Sequence, residues 1–288
     1  MEFVVSHQEH GLSLLAFLKE KCKETLSVKK IKKAIDAKSC TVNGRVEFFS
    51  SFLVREGDRV VLKSVASFSS ELSILFQDEY FVIIDKPPGM VCEEGLYKEQ
   101  NWTLVHRLDK DTSGLLLFSK NAKAEEALKA LFAKREIKKL YLAIVDGRIK
   151  GKKGIIDNYL GKKAGYQGQT LYGEVADQDK GLRAITHWHS LATSETASLV
   201  LCDLKTGRTH QIRVHFTEKG HPILGDHQYV KKSFICDLKP SRHLLHAWKL
   251  SFIHPFTQKE IEVEAPIPLD FKSALEVLNL NMSSCLLL

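Results

Sequence analysis

Residues 106–120, from His106 to Lys120, read H-R-L-D-K-D-T-S-G-L-L-L-F-S-K. The second half, Leu115 to Phe118, is an unbroken apolar run of the kind that forms a buried strand. The first half is a polar turn carrying one carboxylate, Asp109, between Arg107 and the run Thr112-Ser113-Gly114. Turn chemistry alone gives such an aspartate a bland role, accepting hydrogen bonds from nearby amides. Set at the mouth of a buried strand, the same carboxylate is also a group that can react without leaving its scaffold.

The flanking segments alternate between strand and helix patterns. Ile74 to Phe76 and Tyr80 to Ile84 read as paired strands about a turn at Gln77-Asp78-Glu79, and Pro87-Pro88 stops the pairing after Asp85-Lys86. Ala124, Leu128 and Leu131 mark a helix, and Leu140 to Val145 a strand in which Tyr141 alternates with apolar neighbours. Thr206 to His215, T-G-R-T-H-Q-I-R-V-H, predicts a turn entering a helix that ends at Gly220. Leu244 to Ala247 predicts a helical turn, followed by a strand from Leu250 towards Pro255. The fold class expected is α+β, a mixed and largely antiparallel sheet with flanking helices and a central cleft. A guanidinium packed beside Asp109 would hold that carboxylate ionised, and Arg213 is the candidate. Taken singly, Arg213 reads as a surface ion pair worth about 0–1 kcal/mol, and Tyr141 as a core aromatic.

Towards the N-terminus the pattern changes. Leu12, Leu15, Leu18 and Cys22 share one helical stripe, and Val28, Ile31, Ala34 and Ile35 share another. Lys29, Lys30, Lys32 and Lys33 fill the opposite face of the second helix, as a row facing an RNA backbone or simply water. Cys40 to Val42, Asn43-Gly44 and Arg45-Val46 read as a hairpin, because Asn-Gly tolerates the positive φ of a type I′ turn. A strand follows from Arg59 to Leu62, then a serine-rich stretch over residues 64–72. The domains expected are a small one over residues 1–66, a linker over 67–72, a large domain over 73–275 and a tail over 276–288.

The formal net charge is +7 over 288 residues, with a pI near 8.9. Residues 1–66 hold nine Lys and three Arg against eight Asp and Glu, over half of that excess, which favours a polyanionic partner. The six cysteines form no C-x-x-C pair, which argues against a zinc ribbon or a disulfide framework and for a reducing cytoplasm. The start of the chain lacks the pattern of a signal peptide, and no apolar run approaches the length of a membrane span. His210, His215 and His221, or His187 with His189, lack an H-E-x-x-H or thiolate companion, so no metal site is read. The terminal C-L-L-L formally fits a prenylation pattern and is read as coincidence.

The run H-R-L-D-K-D-T-S-G-L-L-L closely resembles the catalytic motif of the RluA-type RNA pseudouridine synthases. Four more segments resemble the same family: Asp85 to Val91, Lys139 to Val145, Thr206 to His215, and Leu244 to Pro255. Together they cover roughly residues 73–267. The chain departs from the family at Cys92-Glu93-Glu94-Gly95, where V-H-P is common, and at Val230 after Tyr229, where glycine is common. Residues 11–63 resemble the small RNA-binding domain named after ribosomal small-subunit protein S-four, without the usual Arg and Asp near its first helix. These resemblances imply an isomerase that converts uridine to pseudouridine in structured RNA, most plainly 23S large-subunit ribosomal RNA. Asp109, Tyr141 and Arg213 would be catalytic. Arg107, His106, Thr112, Arg208, His210, Lys29, Lys30, Lys32, Lys33 and Arg45 would meet RNA. No cofactor is implied, since no atom is added and no redox occurs. The partner would be RNA, with no membrane, no required protein partner and a monomeric enzyme. The alternatives are a non-catalytic ribosome-assembly factor, a synthase acting on transfer RNA, and a nucleoside hydrolase pairing Asp109 with Asp111 or Glu136.

Overall fold

The computed structural model describes residues 1–23, 25–36, 39–47, 50, 52–62, 73–92, 100–166, 169–176, 180–229 and 235–281. The chain divides into two compact units, Met1–Leu72 and Ser73–Leu288.

In the first unit the elements are β1 (Glu2–Val4), α1 (Leu14–Lys21), α2 (Val28–Asp36), β2 (Cys40–Val42), β3 (Arg45–Val46) and β4 (Arg59–Leu62). The strands pair antiparallel in the order β1-β4-β2-β3. Asn43 at φ 50° and Gly44 at φ 78° close the β2–β3 hairpin as the Asn-Gly pair predicts. The stripe expected on the first helix is rotated. Ser13 caps α1 by accepting from the Ala16 amide at 3.2 Å, so Leu12 lies before the helix and is exposed. The buried stripe is Leu14, Phe17, Leu18 and Cys22. On α2, Ile31, Ala34 and Ile35 are buried, Val28 is 40% exposed, and Lys30 and Lys32 point to solvent. The stretch expected as a linker, residues 67–72, lies outside the described residues.

The second unit runs β5 (Ile74–Gln77), β6 (Phe81–Lys86), β7 (Thr103–Leu104), β8 (Ser113–Ser119), α3 (Ala122–Lys134), β9 (Lys138–Asp146), β10 (Lys153–Tyr166), β11 (Gln169–Glu174), β12 (Leu182–Thr193), β13 (Ala197–Leu204), α4 (Gln211–Glu218), β14 (Leu245–Ile253), β15 (Glu260–Glu264) and α5 (Leu269–Val277). Its strands form one 11-stranded sheet, β11-β10-β12-β13-β9-β14-β8-β6-β5, with β15 beside β14 and β7 beside β8. The pairing is antiparallel except between β14 and β8, which run parallel through two residue pairs, His246 with Ser113 and Ala247 with Gly114.

Residues opposite one another in register share a sheet face. One such row crosses the sheet through Trp188, Cys202, Tyr141, Ala247 and Gly114. α4 lies on that face, with Phe216 against Trp188 at 6.5 Å. So does α3, whose Leu128 packs with Leu115, Leu117 and Leu250. The other face buries Leu140, Leu142 and Ile144 under Phe271, Ala274 and Leu275 of α5. Two expectations change here. The helical turn expected at Leu244 to Ala247 is extended chain, because β14 runs unbroken from Leu245 with a bulge between Ala247 and Lys249 and bonds to strands on both sides. The tail expected from residue 276 begins inside α5, and Leu278 and Leu280 are buried beyond it.

Candidate active site

Asp109 sits in the loop that enters β8, and the backbone of that loop is fastened carbonyl by carbonyl. The Asp109 carbonyl accepts from the Thr112 amide at 3.1 Å. The Lys110 carbonyl accepts from the Gly89 amide at 2.9 Å and from Lys86 Nζ at 3.0 Å. The Asp111 carbonyl accepts from Arg242 Nη1 at 3.0 Å. Lys86 is fully buried and also donates to the Pro87 and Met90 carbonyls, at 2.9 and 3.1 Å. Burial lowers its pKa to about 8, and its hydrogen bonds join the Asp85-Lys86-Pro87-Pro88-Gly89 turn to the loop of Asp109. Arg242 is held in turn by Asp270 of α5, at 2.6 and 2.9 Å.

The Asp109 carboxylate is about one-quarter exposed, at 23%. Arg213 Nη1 donates to its Oδ2 at 3.0 Å, and His210 Nε2 lies 3.8 Å from Oδ1. Arg213 projects from α4 and is buried. Its Nε and Nη2 donate to Asp226 at 2.7 and 3.0 Å, its Nη2 also to Gln228 at 2.8 Å, and its guanidinium lies 4.9 Å from the Tyr229 ring. Burial works against the Arg213 charge, but the hydrogen bonds and charges of Asp226 and Asp109 outweigh it and push its pKa up. Burial likewise opposes ionisation of Asp226, and the Arg213 hydrogen bond overrides it, so its pKa falls.

His210 caps α4 in the left-handed conformation, at φ 56° and ψ 22°. Its Nδ1 lies 2.6 Å from the Tyr229 hydroxyl, which accepts from the Tyr172 amide at 3.1 Å. Burial pulls its pKa below the usual histidine value. Tyr141, from β9, is buried, and burial, then the Asp109 charge, push its phenol well up. A neutral phenol can donate a hydrogen bond and present a ring face.

Asp109, Arg213, His210 and Tyr141 are therefore brought together on the α3/α4 face; the sequence led us to expect Arg213 beside Asp109, and His210 only as an RNA contact. Arg107 is exposed and Arg208 lies at the turn into α4, donating to the Arg183 carbonyl at 3.1 Å. Two expected RNA contacts are instead internal supports. Thr112 is buried and bonded to His243 Nε2 at 2.9 Å. His106 accepts from the Leu117 amide at 3.1 Å and packs on Phe132 at 5.2 Å, so its ring is committed to holding the loop. Lys30, Lys32 and Arg45 are exposed in the first unit, and the side chains of Lys29 and Lys33 lie outside the described residues. Sequence reasoning passed over Asp226, Gln228, His243 and Arg242. For Asp226 a signal existed, since Gly225-Asp226 has the same form of turn carboxylate that drew attention to Asp109.

The chain is similar to the RNA pseudouridine synthase YhcT of Bacillus subtilis, 33% identical over 95% of both chains. It belongs to the RluA-type RNA pseudouridine synthases. The model of the family described as RNA pseudouridylate synthase matches the synthase over residues 80–218. That span contains Asp109, Tyr141 and Arg213. The synthase is also 33% identical to the ribosomal large subunit pseudouridine synthase D of Nitrosomonas europaea, over 87% of this chain and 78% of that one. Its fold resembles the solved human RNA pseudouridylate synthase domain containing 4, with a TM-score of 0.61 and 24% identity, over 73% of this chain and 94% of that one. The synthase is thus an isomerase acting on RNA. Among the described residues no helix is long and apolar enough to cross a membrane.

Proposed function

We propose that the synthase isomerises uridines of 23S large-subunit ribosomal RNA, with Asp109 as the catalytic carboxylate. The carrying observation is the placement of that group, a partly exposed carboxylate on a loop with three fastened carbonyls, aimed by a buried guanidinium 3.0 Å away. The name of the Nitrosomonas relative supports the choice of ribosomal RNA, as does the lysine-rich α2 of the first unit.

The isomerisation breaks the bond between uracil N1 and ribose carbon 1, turns the base and joins carbon 5 to the same ribose carbon. The proton on carbon 5 then leaves, and N1 takes one up. A carboxylate can attack ribose carbon 1, attack uracil carbon 6, or remove a ribose proton, and on every route Arg213, donating to Oδ2 at 3.0 Å, fixes which way it faces. Tyr141 presents its ring to the uracil and its neutral hydroxyl as a donor. Arg107, exposed two residues from Asp109, fills the gap left by the extruded base. His210 and Arg208 meet the RNA at the start of α4, while the first unit, as an S-four-like module, holds it through Lys29, Lys30, Lys32, Lys33 and Arg45. The enzyme acts in the cytoplasm as a monomer and requires no protein partner.

The test is a carbodiimide map of pseudouridine in unmodified ribosomal and transfer RNA, after incubation with wild type or Asp109→Asn. Reverse-transcription stops in 23S RNA with wild type only are expected. Stops confined to transfer RNA would reassign the substrate, and stops made by Asp109→Asn would remove Asp109 from the chemistry. Tight binding without new stops would favour the assembly-factor reading.

A further inference from the structure

Beside the row that runs through Tyr141 lies a cavity of about 560 Å³, between the end of α3, the start of β9 and the turn leading to α4. Its size is within the roughly 300–1,000 Å³ of small-molecule sites. Lys139 lies in its wall. Lys139 and Tyr141 are two residues apart on β9 and therefore share a face, with Cα atoms roughly 7 Å apart. Register agrees, since Lys139 stands opposite Leu250, which packs under α3, and Tyr141 stands opposite Ala247.

The lining is cationic. Arg135, Lys138, Lys139, Lys205 and Arg208 face two carboxylates, Glu136 and Asp203, and Asp203 is already held by Lys205 at 2.7 Å. Lys139 is the most telling. It is half-buried, its ammonium lies 5.5 Å from the centre of the Phe132 ring, and among the described residues it has no hydrogen bond or ion pair. Burial lowers its pKa, so this position costs free energy in the empty protein. Arg135 is also placed at a cost. It ends α3 at φ 61°, in the left-handed region where glycine is unstrained. The carbonyls of Leu131 and Phe132 at that helix end are occupied by the Arg135 and Glu136 amides, which reduces the repulsion an anion would meet there.

We propose that this cavity is a subsite for a phosphodiester of the bound RNA, next to the extruded uridine, with Lys139 as its central ligand. The inference rests on the RNA-modifying role of the synthase. It adds a backbone contact one step along the sheet from Tyr141, where a phosphate would fix how far the target nucleotide can travel. Phosphate contacts position and do not read sequence, so the subsite serves every target alike.

The test uses the full chain, an unmodified large-subunit ribosomal RNA transcript and a series of salt concentrations. Wild type, Lys139→Met, Lys139→Arg and, as a control on the opposite face, Lys272→Met are compared by filter binding and by thermal melting. One phosphate contact contributes about 0.9 to the slope of log affinity against log salt, or roughly eightfold in affinity at 0.1 M salt. Lys139→Met is expected to lose about that much slope, with melting unchanged or raised, because a desolvated charge has gone. Lys139→Arg should restore the slope, and Lys272→Met should keep it. A folded Lys139→Met with the wild-type slope overturns the subsite. Wild type that binds with the expected slope pattern but forms no pseudouridine overturns the proposed function and leaves the subsite standing. Wild type that binds no RNA overturns both.

Discussion

Asp226 grips Arg213 from the side away from Asp109, its two oxygens 2.7 and 3.0 Å from Nε and Nη2. That fork fixes the guanidinium plane, so the remaining Nη1 meets Asp109 in one geometry. Lysine offers a single point charge and cannot be aimed by a bidentate partner.

Arg213→Lys should therefore lower kcat/KM by roughly 100-fold or more through misplacement of Asp109. Asp226→Ala should in addition destabilise the fold by about 1–3 kcal/mol, since buried Arg213 loses two charge-assisted hydrogen bonds and keeps those to Asp109 and Gln228. Single-turnover pseudouridine formation and urea unfolding, measured side by side, separate the two effects. Equal losses of activity and stability in Arg213→Lys would contradict the aiming role.

Lys86→Met should cost about 3 kcal/mol, because three partly buried carbonyls lose a donor at once. Increased amide hydrogen exchange is expected at Gly89 and around Lys110, the two strands of chain that the ammonium joins. Unchanged exchange there would mean that the Gly89–Lys110 hydrogen bond suffices alone.

Gly114→Ala should not yield a stable native protein. Gly114 has φ 108°, and a Cβ there would come within 2.1 Å of the Ala247 carbonyl oxygen. This is the point where parallel strands β8 and β14 touch, so relief would require the two strands to part. Soluble expression and a melting curve decide it, and a wild-type melting temperature would show that the contact is slack.

Acid should unfold the synthase well before its carboxylates titrate. Burial lowers His215, His243 and His246 to about 4, and His106 to about 3. A histidine whose folded pKa lies below its unfolded value stabilises the fold above about pH 6.5, and this is lost as pH falls through the folded value. The loss approaches about 1.4 kcal/mol per pH unit for each such histidine. Urea midpoints should drop steeply between pH 7 and 5, and His215→Gln should flatten that slope by about one proton. A midpoint independent of pH in this range would show that these rings take up protons in the native state as readily as in the unfolded chain.

The sequence disclosed which side chains meet at this candidate site better than it disclosed what holds them there. Asp109, Tyr141 and Arg213 lie in runs specific enough to be recognised, and strand and helix patterns put Tyr141 on a strand and Arg213 on a helix, as β9 and α4 have them. The burial of Thr112 was not legible, because it depends on His243, a partner set by tertiary contacts, and neither was the bond that ties His106 to the Leu117 amide. Leu12 was misplaced on its stripe because the cap at Ser13, a local hydrogen bond, decides where α1 begins. The helical turn expected at Leu244 to Ala247 failed for a different reason. Short apolar runs carry no clear period, and the open edges of β9 and β8 decided the matter.

The fastening of the Asp109 loop has a consequence for the protein during its own synthesis. Thr112 and His243 are 131 residues apart, and Asp109 and Arg213 are 104 apart. Such distant pairings form late, since loop-closure entropy must be met before they are rewarded. A chain still emerging from the ribosome has Asp109 long before it has His243, Arg242 or β14. The contacts that hold Asp109 in place are therefore completed only when nearly the whole second unit has been made.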